Sequence, residues 1–443
     1  MDILVLGNGF DLAHGLPTKY EDFLKFVEVI RQVINIWDNE QLDKIDWKNM
    51  PMQIQELVKY NMGIKSANLF YQRETWKELL NNNIWIDYFL QCEMYQKENW
   101  IDFESEISRI IQSIDQDMKQ YGVGINSIVQ EITEPFFAEF FLNDLKSGSQ
   151  EREVENERDK IEKDQEDYLF DPLKKEITYG QLIFRFEQDL NKLIRALEIY
   201  LSDYVEKITC NVLSPDIEEV TMKVDYSNIA SSFCKILNFN YTNICEKIYA
   251  EGKVFDVDYI HGKAYINNIV DTNNMVLGID EYLPDSRKNR DIEFIAFKKY
   301  YQRIYKENGC KYKEWLDEIR RVNYEYEERI RECEMELERY TGHSTKRFEL
   351  KQFLDKEKQN APIHNLYIFG HSLDITDRDI LREFILCNAV YTTIFYHNKK
   401  DLGRKIANLV KVIGQDELIK RTGGSMKTIE FKKQKDMVRT KDV

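Results

Sequence analysis

The sequence predicts an α/β fold, a Rossmann-like parallel sheet carrying two large helical insertions. Three observations predict it: an apolar run that ends in a glycine turn near residue 7, later strand-like runs separated by helix-length stretches, and two long segments of helical periodicity. Ile3-Leu4-Val5-Leu6 is continuously apolar, as a strand buried on both faces requires, and Gly7-Asn8-Gly9 ends it. From about Tyr20 to Ser202 apolar residues return every three and four positions, as in Phe23, Phe26, Val27 and Ile30 and again in Leu182, Phe186, Leu190, Leu193 and Leu197. That spacing is helical. No β-rich stretch interrupts it, and residues 151–166 carry twelve charges in sixteen positions, the pattern of an exposed helix or mobile linker.

Strand-like runs resume at Phe233 to Phe239, Val254 to Ile260, Met275 to Ile279, Leu366 to Phe369 and Val390 to Tyr396. Between them, residues of about 291 to 360 place Trp315, Ile319, Val322, Tyr326, Ile330, Cys333, Leu337 and Tyr340 at spacings of three and four on an otherwise charged helix. Such a stripe packs on a core or on a partner. The expected organisation is a nucleotide-binding core of residues 1–20, 230–290 and 361–443, with helical insertions at 21–229 and 291–360. No internal repeat or Pro/Gly/Ser-rich linker divides it.

Composition bounds the function. At 443 residues with 43% hydrophobic side chains, the chain can fill a large core. A formal charge of -16 opposes long-range attraction to polyphosphate backbones, so no nucleic-acid partner is expected. The seven cysteines are odd in number, scattered and never in a C-x-x-C pair, which suggests neither a disulfide framework nor a cysteine zinc site. No metal is expected, and a reducing cytoplasm fits best. With no basic leader and no run of about 18 apolar residues, neither secretion nor membrane spanning is expected.

The chemistry concentrates at Gly7-Asn8-Gly9-Phe10-Asp11-Leu12-Ala13-His14-Gly15-Leu16-Pro17-Thr18-Lys19-Tyr20. Glycines after a strand let backbone amides wrap a phosphate, and tight turns need glycine without any ligand. This stretch resembles the opening of the AbiH family of abortive-infection proteins. Trp100-Ile101-Asp102-Phe103-Glu104, Asn238-Phe239-Asn240-Tyr241-Thr242-Asn243, Tyr259-Ile260-His261-Gly262-Lys263, Leu277-Gly278-Ile279-Asp280 and Phe369-Gly370-His371-Ser372-Leu373 resemble further AbiH landmarks in the family's order.

A more distant resemblance is to sirtuin-like NAD-consuming enzymes. Gly7-x-Gly9-Phe10 followed by Gly15-Leu16-Pro17 is similar to their phosphate and ribose loop, Asn240-Tyr241 to their asparagine motif, His261-Gly262 to their catalytic histidine, and Phe369 to Leu373 to the loop beneath the cofactor. The resemblance implies NAD as substrate or ligand, with Asn240 and His261 catalytic. It implies cofactor contacts from Gly7, Asn8, Gly9, Phe10, Asp11, His14, Gly15, Pro17, Tyr241, Thr242, Gly370, His371, Ser372 and Asp374. Thr242 stands where the sirtuin motif has aspartate, and Asn8 where alanine is usual. The missing zinc-ribbon cysteines argue against deacylation and leave cleavage of the N-glycosidic bond by water.

Two rivals stay open. Asp11, His14, His261, His371, Asp374 and Asp377 are ligand types for a divalent metal in phosphoester hydrolysis, although Asp374 and Asp377 also suit a helix start near Ile375. The other is a non-catalytic nucleotide sensor in which the glycine loop holds a ligand and the helical insertions recruit phage or host proteins. Under either reading the expected partners are a nucleotide, a phage or host protein trigger and a second copy of the chain.

Overall fold

A computed structural model describes residues 1–36, 52, 67–98, 101–129, 177–222, 234–250, 254–340 and 345–440. The charged segment 151–166, Trp100 and Phe233 lie outside the described residues. The chain divides into two compact units, one built from Met1–Gly15, Cys210–Ile260 and Gly309–Val443, the other from Leu16–Thr209 and His261–Asn308.

The first unit holds a sheet of β1 (Asp2–Leu6), β2 (Cys234–Asn238), β3 (Phe255–Tyr259), β4 (His364–Phe369), β5 (Val390–Tyr396) and β6 (Ile429–Lys433). Its spatial order is 3-2-1-4-5-6 and every pairing is parallel. The fold is therefore α/β and Rossmann-like. Leu4, Val5 and Leu6 are fully buried because β1 is central, which explains why its sequence is apolar without alternation. Winding reverses at β1, and in such sheets ligands bind outside the carboxyl ends of the strands at that reversal.

The aromatic stripe on the helix Lys311–Arg339 divides its function. Trp315, Leu316 and Ile319 join the core cluster that contains Val5, Ile368 and Ile394 of the sheet. Further along, Cys333 is buried and its Sγ approaches the Leu350 carbonyl of the helix Thr345–Gln359 at 3.6 Å. A short antiparallel ladder pairs Val212–Leu213 with Val438–Arg439.

The second unit is mostly helical. The helices Tyr20–Ile36, Ile84–Gln91, Phe103–Gln120 and Tyr179–Ile199 bury Phe23, Phe26, Trp85, Phe89, Phe103 and Phe186 completely. Phe89 and Phe103 stack at 4.2 Å between centroids, and the Trp85 indole donates to the Phe186 carbonyl at 2.8 Å. Tyr179–Ile199 starts at a capping box of Thr178 and Gln181 and runs into a π-turn, Tyr200–Tyr204.

One of the expected strands does not form. Met275 to Ile279 is buried but forms no strand of the sheet, and Ile279 makes one isolated bridge to Lys298. A glutamine substitutes for a neighbouring strand: the Leu277 amide donates to Gln302 Oε1 at 3.0 Å, and Gln302 Nε2 returns to the Leu277 carbonyl at 3.1 Å. An apolar run can be buried without a ladder when a side chain satisfies its backbone. No helix among the described residues is long and apolar enough to cross a membrane.

Candidate functional site at the carboxyl end of the sheet

In the first unit the carboxyl ends of β1, β2 and β4 bring most of the expected residues together. Gly7 leaves β1 in extended conformation and caps a short helix, Asn8–Ala13. The two glycine turns interlock across the winding reversal. A methyl group on Gly9 would stand 2.7 Å from the Gly370 carbonyl oxygen, and one on Gly7 would stand 2.5 Å from the His371 Cα. Gly370 itself has φ +71° and faces the Phe10 amide nitrogen. Glycine is required at all three positions by backbone packing.

The amides of this turn are engaged within the protein. Gly7 N–H donates to the Phe369 carbonyl at 3.2 Å, Gly9 N–H to the Gly370 carbonyl at 2.8 Å, and Phe10 N–H to the Gly7 carbonyl at 2.8 Å. Asn8 is exposed beside them. The expected phosphate cradle is thus closed at these three donors, and a phosphate would have to displace a protein carbonyl to reach them.

His14 is a satisfied interior histidine. Its Nδ1 lies 2.7 Å from the Phe10 carbonyl, which accepts only, so the proton sits on Nδ1 and Nε2 accepts from the Tyr249 hydroxyl at 2.9 Å. That hydroxyl accepts in turn from the Ser214 amide at 2.7 Å. Burial lowers the His14 pKa and keeps the ring neutral, while the same cause raises that of Tyr249. Gly15, with φ +78° and open space around its Cα, terminates the turn.

Asn240 and Thr242 extend from β2 onto the glycine turn. Asn240 Nδ2 donates to the Gly7 carbonyl at 3.2 Å, and its own amide donates to Asn238 Oδ1 at 3.0 Å. Asn238 Nδ2 reaches the Thr242 carbonyl at 3.3 Å, and Tyr241, between them, is half-buried. The Thr242 hydroxyl donates to Asp11 Oδ2 at 2.7 Å, both residues being buried. Where the sirtuin motif has its aspartate, this chain therefore presents a threonine that binds a carboxylate supplied by Asp11. In β2 and β3, Asn238 and Tyr259 are register partners, and Asn240 and His261 each stand two residues further along the chain.

On the β4 side, His371 Nδ1 accepts from the Leu373 amide at 2.9 Å, which leaves the proton on Nε2, 3.3 Å from Asp377 Oδ2. The ring stands edge-on to Phe239 at 4.4 Å. Leu373 adopts φ +59°, a strained value for a branched side chain, held by its complete burial. Ser372 is exposed, and Asp374 caps the following turn through the Thr376 amide at 3.2 Å. Buried Lys405 donates to the His371 carbonyl, and Asn408 to the Ser372 carbonyl at 3.0 Å. Tyr249, Lys405 and Asn408 escaped sequence reasoning, since each meets the site through the fold alone and no motif marks it.

The remaining two expected residues, Pro17 and His261, belong to the second unit. The Pro17 carbonyl accepts from the Tyr200 hydroxyl at 2.7 Å. His261 is buried, and its carbonyl accepts from the Val276 amide at 2.8 Å, closing the base of a loop that runs from Gly262 to Met275. For the rival metal site, no group of three or more His, Cys, Asp or Glu among the described residues is placed to hold an ion.

A protein-family model described as Bacteriophage abortive infection AbiH matches residues 3–396. The chain belongs to the AbiH family. That membership connects it with abortive infection of bacteriophage. No curated protein and no solved structure matches it. Two stretches resembling AbiH landmarks have structural roles in this chain: Asp102 caps Phe103–Gln120 through the Glu104 amide at 3.1 Å, and a methyl on Gly278 would stand 2.5 Å from the Phe297 carbonyl.

Proposed function

We propose that this AbiH chain is an anti-phage effector that hydrolyses NAD to nicotinamide and ADP-ribose. The observation that carries the reading is the placement of Asn240: it stands two residues beyond the end of the strand beside β1, and its side-chain amide donates to the glycine turn at the winding reversal of the sheet. Parallel sheets of this order bind dinucleotides at that position. The buried Asp11–Thr242 pair supports the same reading, since it supplies a carboxylate where the sirtuin motif has one.

In the reaction, the bond between the nicotinamide nitrogen and ribose C1′ breaks and nicotinamide leaves with that electron pair. The water oxygen bonds to C1′ and its proton passes to a base. Asn240 orders the water and His261 takes the proton. The contacts expected of Gly7, Gly9 and His14 become indirect, because their polar groups already bond the protein. The contacts that solvent can reach are those of Asn8 and Ser372, which are exposed, and of Tyr241 and Asp374, which are half-buried.

A second reading, a nucleotide sensor without chemistry, draws on the engaged amides of Gly7, Gly9 and Phe10. The two part on one measurement. The full-length protein is incubated with NAD in the presence of lysate from phage-infected cells, and nicotinamide is quantified. Release that disappears in Asn240→Ala is expected of the effector. Tight NAD binding with no nicotinamide released supports the sensor.

A further inference from the structure

We propose that Glu198 is a positioning residue for His261. The proposal rests on the reading of His261 as the base and extends it to the loop that fixes this histidine. Glu198 is the penultimate residue of the helix Tyr179–Ile199, two residues before the π-turn, and is fully buried. A buried carboxylate is costly unless every lone pair finds a donor. Here most of the donors come from the loop after His261. Glu198 Oε1 accepts from the Tyr265 amide at 3.1 Å and from Asn268 Nδ2 at 2.6 Å, while Oε2 accepts from Asn273 Nδ2 and from Arg195 Nη1 at 2.5 Å. Arg195 extends the clamp to the carbonyls of Tyr265 at 3.2 Å and Ile266 at 2.6 Å.

The clamp reaches His261 through two routes. Asn273, held by Glu198, accepts from the Met275 amide at 2.8 Å, and the next amide, Val276 N–H, donates to the His261 carbonyl at 2.8 Å. Beside it, Asn274 Oδ1 accepts from the Lys263 amide at 3.2 Å, and Gly262, with φ +79°, packs against the Asn274 carbonyl. His261 is thereby fixed on both sides of its peptide unit by a segment whose interior anchor is one carboxylate. The loop's surface carries Tyr265 and Ile269 more than half exposed, so apolar packing contributes little to its order at those positions.

The test uses the full chain and two readouts that need no NAD: hydrogen exchange of peptides covering 262–276, and the imidazole resonance of His261, assigned through His261→Gln. In Glu198→Gln an NH2 group faces donors, so exchange in 262–276 is expected to accelerate by about tenfold or more, the effect of losing a charged hydrogen bond, and the His261 resonance to shift. The double variant Glu198→Gln with Asn273→Asp reverses donor and acceptor at the 198–273 contact, while Arg195 still faces the new NH2 group, and is expected to reverse both changes in part. Should Glu198→Gln fail to fold, Asn268→Ala removes a single donor and is expected to show the same local acceleration. Unchanged exchange and an unmoved His261 signal in the folded variants would overturn the proposal, as would acceleration spread across the second unit that the double variant does not reverse. Absence of nicotinamide release would leave this result untouched.

Discussion

A methyl group added at Gly9 meets the Gly370 carbonyl, whereas one added at Gly15 meets open space and suffers only from φ +78°. Gly9→Ala should therefore cost about 1–3 kcal/mol through overpacking of the two turns, and Gly15→Ala about 1–2 kcal/mol through backbone strain alone. The distinction lies in relief: Gly15→Asn, which tolerates the left-handed region, is expected to recover stability, and Gly9→Asn to lose more, as urea titration will show. At His364 the issue is charge. Burial, reinforced by the positive amino terminus, lowers its pKa to about 4 from an ordinary 6.5, and Nε2 faces Asn323 Oδ1 at 3.3 Å. The unfolded chain binds a proton that the folded chain refuses, so stability should fall as pH drops from 6.5 toward 4 and be insensitive to this group above 6.5. His364→Gln should flatten that part of the pH profile of thermal unfolding. The turn at Gly7 and Gly9 was legible because glycines after an apolar strand mark a tight turn with or without a ligand. That the glycines serve each other was not, since Gly370 lies more than 350 residues away in the chain.

Among elements, the long helix Lys311–Arg339 shows how one periodic stripe serves two surfaces. Trp315 is in the sheet core, so Trp315→Ala should cost about 3–5 kcal/mol. Phe348, on Thr345–Gln359, is 62% exposed, and its replacement by alanine should change stability by no more than about 0.5 kcal/mol. Comparable losses at both positions would show that the exposed face of this hairpin is packed in solution. The helical period was readable because the stripe persists over seven turns. Strand β6 was not: Ile429-Glu430-Phe431-Lys432-Lys433 is a short edge strand whose lysines suit an unpaired edge and mask its alternation. Met275 to Ile279 misled in the opposite direction, because burial made it apolar while Gln302 replaced the ladder.

For the whole molecule, the chain crosses between its two compact units several times, and each unit is assembled from distant segments. The alternation of apolar runs with helix-length stretches could be read along the chain, so the fold class was legible. The partition was less so: Ile260 closes the first unit and His261 opens a segment of the second, and no composition change marks that peptide bond. We propose that AbiH-type protection by this chain consumes NAD through Asn240 and His261. The most direct test of this is cellular NAD after phage infection, followed in cells expressing the parent, Asn240→Ala, His261→Ala or, as a control in the charged segment 151–166, Glu157→Ala. The expected result is a fall in NAD with protection in the parent and the control, and neither in the two site variants; losing a general base alone slows such chemistry by about a hundredfold to ten-thousandfold. Protection by the parent with NAD undiminished, or protection that persists in both site variants, would contradict it.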